Sequence, residues 1–450
     1  MSIWVQDADA ISSLSEEVLN LVCINKCVKE ALSSDRLGIS GIKGLGKTYL
    51  LKVKRRKLES TSADCLPLYR LCDIVDDTID INYELDSYLK SIDAWTKLWK
   101  FSIGIAILST DSNKSIRKQI CIKDPSLKRF FKDNNCCQAS IVLSELLNEG
   151  RQELSEILGR SLNFVNYALT RVENATYYFI DKVDQSFSNY TAVFNCKDKD
   201  LPRNASFWQY AQYALAKAAY SIYTQNRSIK VYFTIRDEAL LDSHLILPDM
   251  HRNISALIVS LHYSKDDIRK MFEKYIEYEE DEYLVAPEKQ NDDPEAAFFG
   301  SNTIETNGQS ERVFDFIYRH TMRRPCDLQA ICTSLSLLSN SMLSNPTVVV
   351  STVIATSSQI FDSYLSELSR FMSCTRDDLA AVYMSVGGNI VTPELMRLVC
   401  AQHHMQPELV RRCNSNCRSC NSLQPFSILY NIGLIGCLKD NSQVFSAQCQ

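Results

Sequence analysis

The stretch GISGIKGLGKTYLL, which starts at Gly38, constrains this chain more than any other. Four of the 13 glycines in 450 residues fall between Gly38 and Gly46. Glycine turns a backbone through positive φ without a Cβ clash, so this crowding marks a chain that must wrap closely around something. The series Gly41, Gly46, Lys47, Thr48 fits G-x-x-x-x-G-K-[ST] with no mismatch. RLGIS before it reads as a strand, and TYLLKVKRRK after it reads as a helix. A strand, a glycine turn and a helix start together aim backbone N–H groups and the positive helix end at one point, which suits a phosphate. The residues expected to hold a nucleotide are therefore Gly41, Lys43, Gly44, Leu45, Gly46, Lys47, Thr48 and Tyr49. Lys47 would reach the β- and γ-phosphates, and the Thr48 hydroxyl would ligate Mg²⁺.

The stretch YYFIDKVDQ, from Tyr177, supplies a second half. An apolar strand ends there in Asp181, with Asp184 three residues on. Taken alone, these are as well read as capping aspartates at a strand end. Beside a phosphate loop, Asp181 is expected to hold the Mg²⁺ of a bound ATP, and Asp184 to orient the attacking water.

At this length the chain accommodates two or three domains. Lys+Arg is 49 and Asp+Glu is 54, a formal charge of -5 with no global pull toward nucleic acid. No apolar run reaches the ~18 residues of a membrane span, so no membrane partner is expected. The 17 cysteines are read as reduced thiols in a cytoplasmic protein. Strands at 36–40, 65–74, 176–184, 229–240 and 257–264 alternate with helical patterns, which predicts an α/β fold with a parallel sheet covered on both faces. The expected divisions are an N-terminal helical segment over 1–34, the core over 35–276 and an acidic, polar mobile loop over 277–312. A helical segment over 313–375 and a C-terminal unit over 376–450 follow. A short strand is expected at Val348–Val350. Trp95 and Trp99, four apart, are expected in core or interface packing.

GIKGLGKT, FIDKVDQ and FTIR occur in that order, and together they resemble the bacterial STAND and AAA-like P-loop ATPases. That group includes KAP-type, NB-ARC-like and origin-recognition-like proteins; a narrower likeness is to the ATPase subunit of the RADAR anti-phage system. The resemblance implies a P-loop sheet domain, a helical lid and a winged-helix-like C-terminal unit. It implies ATP hydrolysis with Mg²⁺, coupled to homo-oligomer assembly in defence or signalling, with an effector enzyme as a partner. In such proteins a strand ending in Thr-x-Arg places an arginine near the γ-phosphate, which here implies Thr234 and Arg236. YRHTMRRPCDLQAIC resembles the lid's Arg-Pro-Arg-Asp element, so Arg324-Pro325 would face the nucleotide and Asp327 would open a helix. Cys326 stands where arginine is common. Lys182 stands where many relatives carry a water-activating glutamate, which implies slow hydrolysis. PFSILYNIGLIGCL resembles the end of a winged helix, with a strand at Leu434–Leu438 and little chain left for the next one. Two other readings stay open: a DNA-binding ATPase of the origin-recognition type, and a nucleotide-binding scaffold with negligible hydrolysis.

Two further signals are ambiguous. KVKRRK (Lys52–Lys57) is either a nucleic-acid patch or the basic end of the P-loop helix. Cys413, Cys417 and Cys420, with His403 or His404, form either a zinc set or a group of loop thiols.

Overall fold

The computed structural model describes Trp4 and residues 25–59, 64–70, 81–85, 87–131, 138–183, 206–241, 248–306, 308–372, 376–385, 437–439 and 442–444. These divide into two units. One comprises Lys26–Gly41 and Lys47–Leu261. The other takes Trp4, Asn25, Ile42–Gly46 and the described residues from His262 onward.

The first unit is α/β. Its five strands are β1 (Gly38–Ser40), β2 (Asp64–Arg70), β3 (Thr176–Asp181), β4 (Ile229–Ile235) and β5 (Ile258–Ser260), in the order β2-β3-β4-β1-β5. Every pairing is parallel. Val231 to Ile235 are buried without a break. Successive strand residues face opposite sides, so β4 is covered on both faces, as a parallel sheet requires.

The helices of this unit include α1 (Lys26–Ala31), α2 (Lys47–Glu59), α3 (Ile92–Leu108), α4 (Ala139–Asn148), α5 (Arg151–Leu169) and α6 (Ser206–Gln225). Val142, Leu143, Leu146 and Leu147 on α4 form a buried stripe. Trp95 and Trp99 on α3 are fully buried core residues. Each indole N–H is paired, Trp95 with Leu89 O and Trp99 with Ala211 O, both at 2.8 Å. The second bond ties α3 to α6. The helix at 26–31 belongs with the sheet, inside the span expected to be a separate N-terminal segment.

The basic run Lys52–Lys57 is not a uniform surface patch, because Lys54 is turned inward and is 1% exposed. Its ammonium donates to Ala31 O at 2.9 Å and to Arg36 O, and lies 4.4 Å from the centre of the Tyr232 ring. Burial, assisted by the nearby Lys230, lowers its pKa from 10.5 to about 7. The unfolded chain therefore binds more protons than the folded one between pH 7 and 10.5, and folding gains stability as pH rises through that window. Below pH 7 both states are protonated and the penalty is complete. Relative to Lys54→Met, the native chain should gain stability between pH 7 and pH 9. Denaturant melts at both pH values check this, and a difference that stays constant contradicts the burial of a titrating amine.

The second unit contains α7 (Lys265–Glu277), α8 (Pro294–Phe299), α9 (Val313–Arg319), α10 (Pro325–Ser336), α11 (Pro346–Met372) and α12 (Arg376–Ser385). It also contains the antiparallel hairpins β6 (Thr303–Thr306) with β7 (Gln309–Arg312) and β8 (Cys437–Lys439) with β9 (Ser442–Val444). The segment 277–312 is not the open loop its polar composition suggests. Asp293 caps α8, accepting from Ala296 N at 3.2 Å. Phe298, Phe299 and Ile304 enter the core with Phe272, Phe314 and Trp4. The buried Glu295 accepts from Arg269 at 3.1 Å, Arg312 at 2.9 Å and Phe314 N at 3.1 Å. A few aromatic anchors and one satisfied carboxylate thus order a stretch that is mostly polar.

Val348–Val350, expected as a strand, lies inside α11. Val349 and Val353 are buried four residues apart, so packing overrides the β preference of valine. At the C-terminal end the strand at 437–439 has a partner at 442–444, so a hairpin does fit before Gln450. The rest of the winged-helix expectation, with Cys413, Cys417, Cys420, His403 and His404, lies outside the described residues.

Candidate functional site

The sheet order creates the site in the first unit. The connection leaving β1 runs to β2 at one edge, and the connection leaving β4 runs to β5 at the other. Right-handed crossovers in opposite directions lie on opposite faces. The loops after β1 and β4 therefore diverge, and the carboxyl ends of these neighbouring strands form the crevice where open α/β sheets bind ligands.

The register fixes what stands there. Ile180 pairs with Phe233, and Phe233 pairs with Gly38. One residue further on, Asp181, Thr234 and Ile39 share a row. Asp181 and Ile39 are two strands apart, roughly 10 Å between Cα atoms. Ser40 ends β1, and the glycine turn follows at once.

Asp181 is 1% exposed. Its Oδ1 accepts from the Thr234 hydroxyl, and its Oδ2 is buried with no hydrogen-bond partner in the protein. An isolated buried carboxylate oxygen costs several kcal/mol, and it is a natural ligand for a cation. Among the described residues no three His, Cys, Asp or Glu side chains converge. A cation at Asp181 would take its other ligands from hydroxyl, water and phosphate, which is the habit of Mg²⁺. The next residue, Lys182, holds φ at 56°, a left-handed conformation unusual for a side chain of its size and of the kind found at functional sites.

Lys47 begins α2, with its Nζ donating to Gly41 O at 2.8 Å. Thr48 is half-buried beside it. Arg236, directly after β4, is 6% exposed, and its backbone N–H donates to Gln212 Oε1 at 2.7 Å. Gln212 Nε2 and Ser40 Oγ are both buried without a partner. The first unit thus gathers Gly41, Lys47, Thr48, Asp181, Thr234 and Arg236 at one edge of the sheet. Asp184 lies outside the described residues. Gln212 was not expected: it sits in mid-helix 24 residues from Arg236, and no local spacing marks it.

In the second unit, the glycine turn is bonded through its carbonyls. Gly44 O accepts from Cys326 N at 3.2 Å and Leu45 O from the Tyr263 hydroxyl at 3.3 Å. These bonds remove two negative peptide ends from whatever the turn encloses. Gly44 and Gly46 hold φ at 87° and 80°, as the motif requires. Lys43 is exposed and Leu45 is buried; Tyr49, on α2 of the first unit, is also buried.

Arg324 is 2% exposed and stacks on the Tyr364 ring at 4.3 Å, with its stem beside Gly44. Asp327, in the first turn of α10, accepts from Tyr364 at 2.9 Å and from Met322 N at 2.9 Å. Burial, the largest cause, and the Asp327 charge push the Cys326 thiol up to about 12, so it is an inert packing group. A Cβ at Gly44 would sit 2.3 Å from Cys326 Sγ. The small thiol permits this approach where an arginine would be too bulky. Gly44→Ala is expected to cost about 2–3 kcal/mol through clash and left-handed strain. In a Cys326→Ala background the cost should fall to about 1 kcal/mol, leaving only the backbone contribution. Equal costs in the two backgrounds, measured by chemical denaturation, contradict the contact.

No family model matches the chain, and neither does any of the curated proteins or solved structures compared with it.

Proposed function

We propose that this chain binds ATP with Mg²⁺ at the carboxyl edge of its parallel sheet and hydrolyses it slowly, as a switch. The reading is carried by the unpartnered, buried Asp181 oxygen in the same strand row as the residues that lead into a fully matched phosphate loop. In this reading the turn amides and Lys47 hold the β- and γ-phosphates. Asp181 and Thr48 face the magnesium ion, which would neutralise phosphate charge. Thr234 orients Asp181 by donating to its other oxygen. Arg236 offers a planar cation to the terminal phosphate. Lys182, in the position after Asp181, supplies no general base while protonated, which favours a slow switch over a motor. We further propose a helical lid formed by α10 and α11, and nucleotide-dependent assembly as the output, in defence or signalling.

The direct test is equilibrium titration with a fluorescent ATP analogue, with Mg²⁺ and then with excess EDTA. Saturable binding that Mg²⁺ tightens is expected. No binding at millimolar nucleotide overturns the proposal. Light scattering with and without ATP tests the assembly step.

A further inference from the structure

We infer that Gln212 donates to the terminal phosphate of the bound nucleotide, and so distinguishes a triphosphate from a diphosphate. The inference rests on the nucleotide reading above and adds to it a residue that no motif marks.

The carboxamide has one defined orientation. Gln212 is 1% exposed, and its Oε1 accepts from the Arg236 backbone N–H at 2.7 Å. A backbone N–H can only donate, so this bond decides which end of the carboxamide is oxygen. Nε2 is therefore turned away from that N–H. It is buried and has no partner in the protein. Native proteins rarely leave a buried amide donor unused, and such a group calls for an explanation.

Position supplies the explanation. Arg236 directly follows β4, which lies between β3, ending in Asp181, and β1, leading into the glycine turn. The carboxamide therefore stands at the carboxyl edge of the middle strand. Two other buried polar atoms at the same edge also lack partners, Asp181 Oδ2 and Ser40 Oγ. A neutral amide donor, a hydroxyl and a carboxylate oxygen on three different elements suit one ligand that brings both anionic oxygens and a cation. The donor suits the anion, and the carboxylate suits the metal. In the proposed site Lys47 holds the β- and γ-phosphates and Asp181 the magnesium ion, so the phosphate brought toward β4 is the terminal one. Packing fixes α6 at this point, because Trp99 Nε1 donates to the carbonyl of Ala211, the residue before Gln212, at 2.8 Å.

Gln212→Glu separates this role from a structural one. It keeps an oxygen for the Arg236 N–H, but at pH 8 it replaces the donor with an acceptor that repels phosphate. Affinity for the non-hydrolysable β,γ-imido analogue of ATP should fall at least tenfold, with ADP affinity within twofold of the native value. Gln212→Met, neutral and similar in shape, covers the case in which a buried glutamate prevents folding; the same loss, confined to the triphosphate, is expected. Losses that are equal for ADP and the triphosphate analogue, or affinities unchanged in Gln212→Glu, overturn the inference. A native chain that binds neither nucleotide overturns the ATP reading itself, and the two failures are thereby told apart.

Discussion

Lys47→Ala is expected to lower ATP affinity at least 100-fold while leaving the fold intact. Lys47 is half-buried, and in the proposed site it is the lysine that meets the β- and γ-phosphates. Charge-assisted contacts with phosphate in a partly desolvated site are the strong kind, and 100-fold corresponds to about 2.7 kcal/mol. The folded chain alone loses less. The variant gives up the bond to Gly41 O, at 2.8 Å, and such a bond is worth about 1 kcal/mol. Isothermal titration on native and variant protein with matched thermal melts decides the matter. Equal ATP affinity in the variant sinks the phosphate role of the turn.

Asp181→Asn should separate binding from stability in the opposite direction. The amide oxygen can still accept from Thr234, so the strand-end geometry survives. The buried charge and its unpaired oxygen are gone. The nucleotide-free chain should be as stable as the native one or more so, by about 1–3 kcal/mol, because an uncompensated buried charge is costlier than a buried amide. The tightening of ATP binding by Mg²⁺ should vanish, with the same Kd in Mg²⁺ as in EDTA. A variant that keeps the full Mg²⁺ effect would place the metal elsewhere. A gain in stability together with that loss identifies Asp181 as a residue kept for its ligand at the expense of the fold.

Much of this edge of the sheet is visible in the sequence because its parts are local. Gly41 to Thr48 form one continuous motif, and Asp181 ends one apolar run. Thr234 and Arg236 are two residues apart on a strand end. Gln212 is different: its partner is 24 residues away, and nothing around it in FWQYAQYAL separates it from an ordinary polar position. Lys54 was equally hidden, since five of the six residues in KVKRRK are basic and only packing turns one of them inward. The segment 277–312 was misread because composition averages over residues, while burial depends on a few. Phe298, Phe299 and Glu295 are enough to tie it down.

By itself the sequence determined the α/β class, the glycine turn at the head of a helix and the apolar strand that ends in Asp181. Each of these follows from dihedral limits, side-chain periodicity and spacing within a short stretch. Tertiary structure alone decided that Asp181 lies two strands from the residues entering the glycine turn, that Gly44 rests against Cys326, and that Gln212 holds Arg236 by its backbone. Those facts depend on strand order and on which surfaces meet. Distant parts of a chain are brought together by the burial of the whole, and no local preference encodes that arrangement.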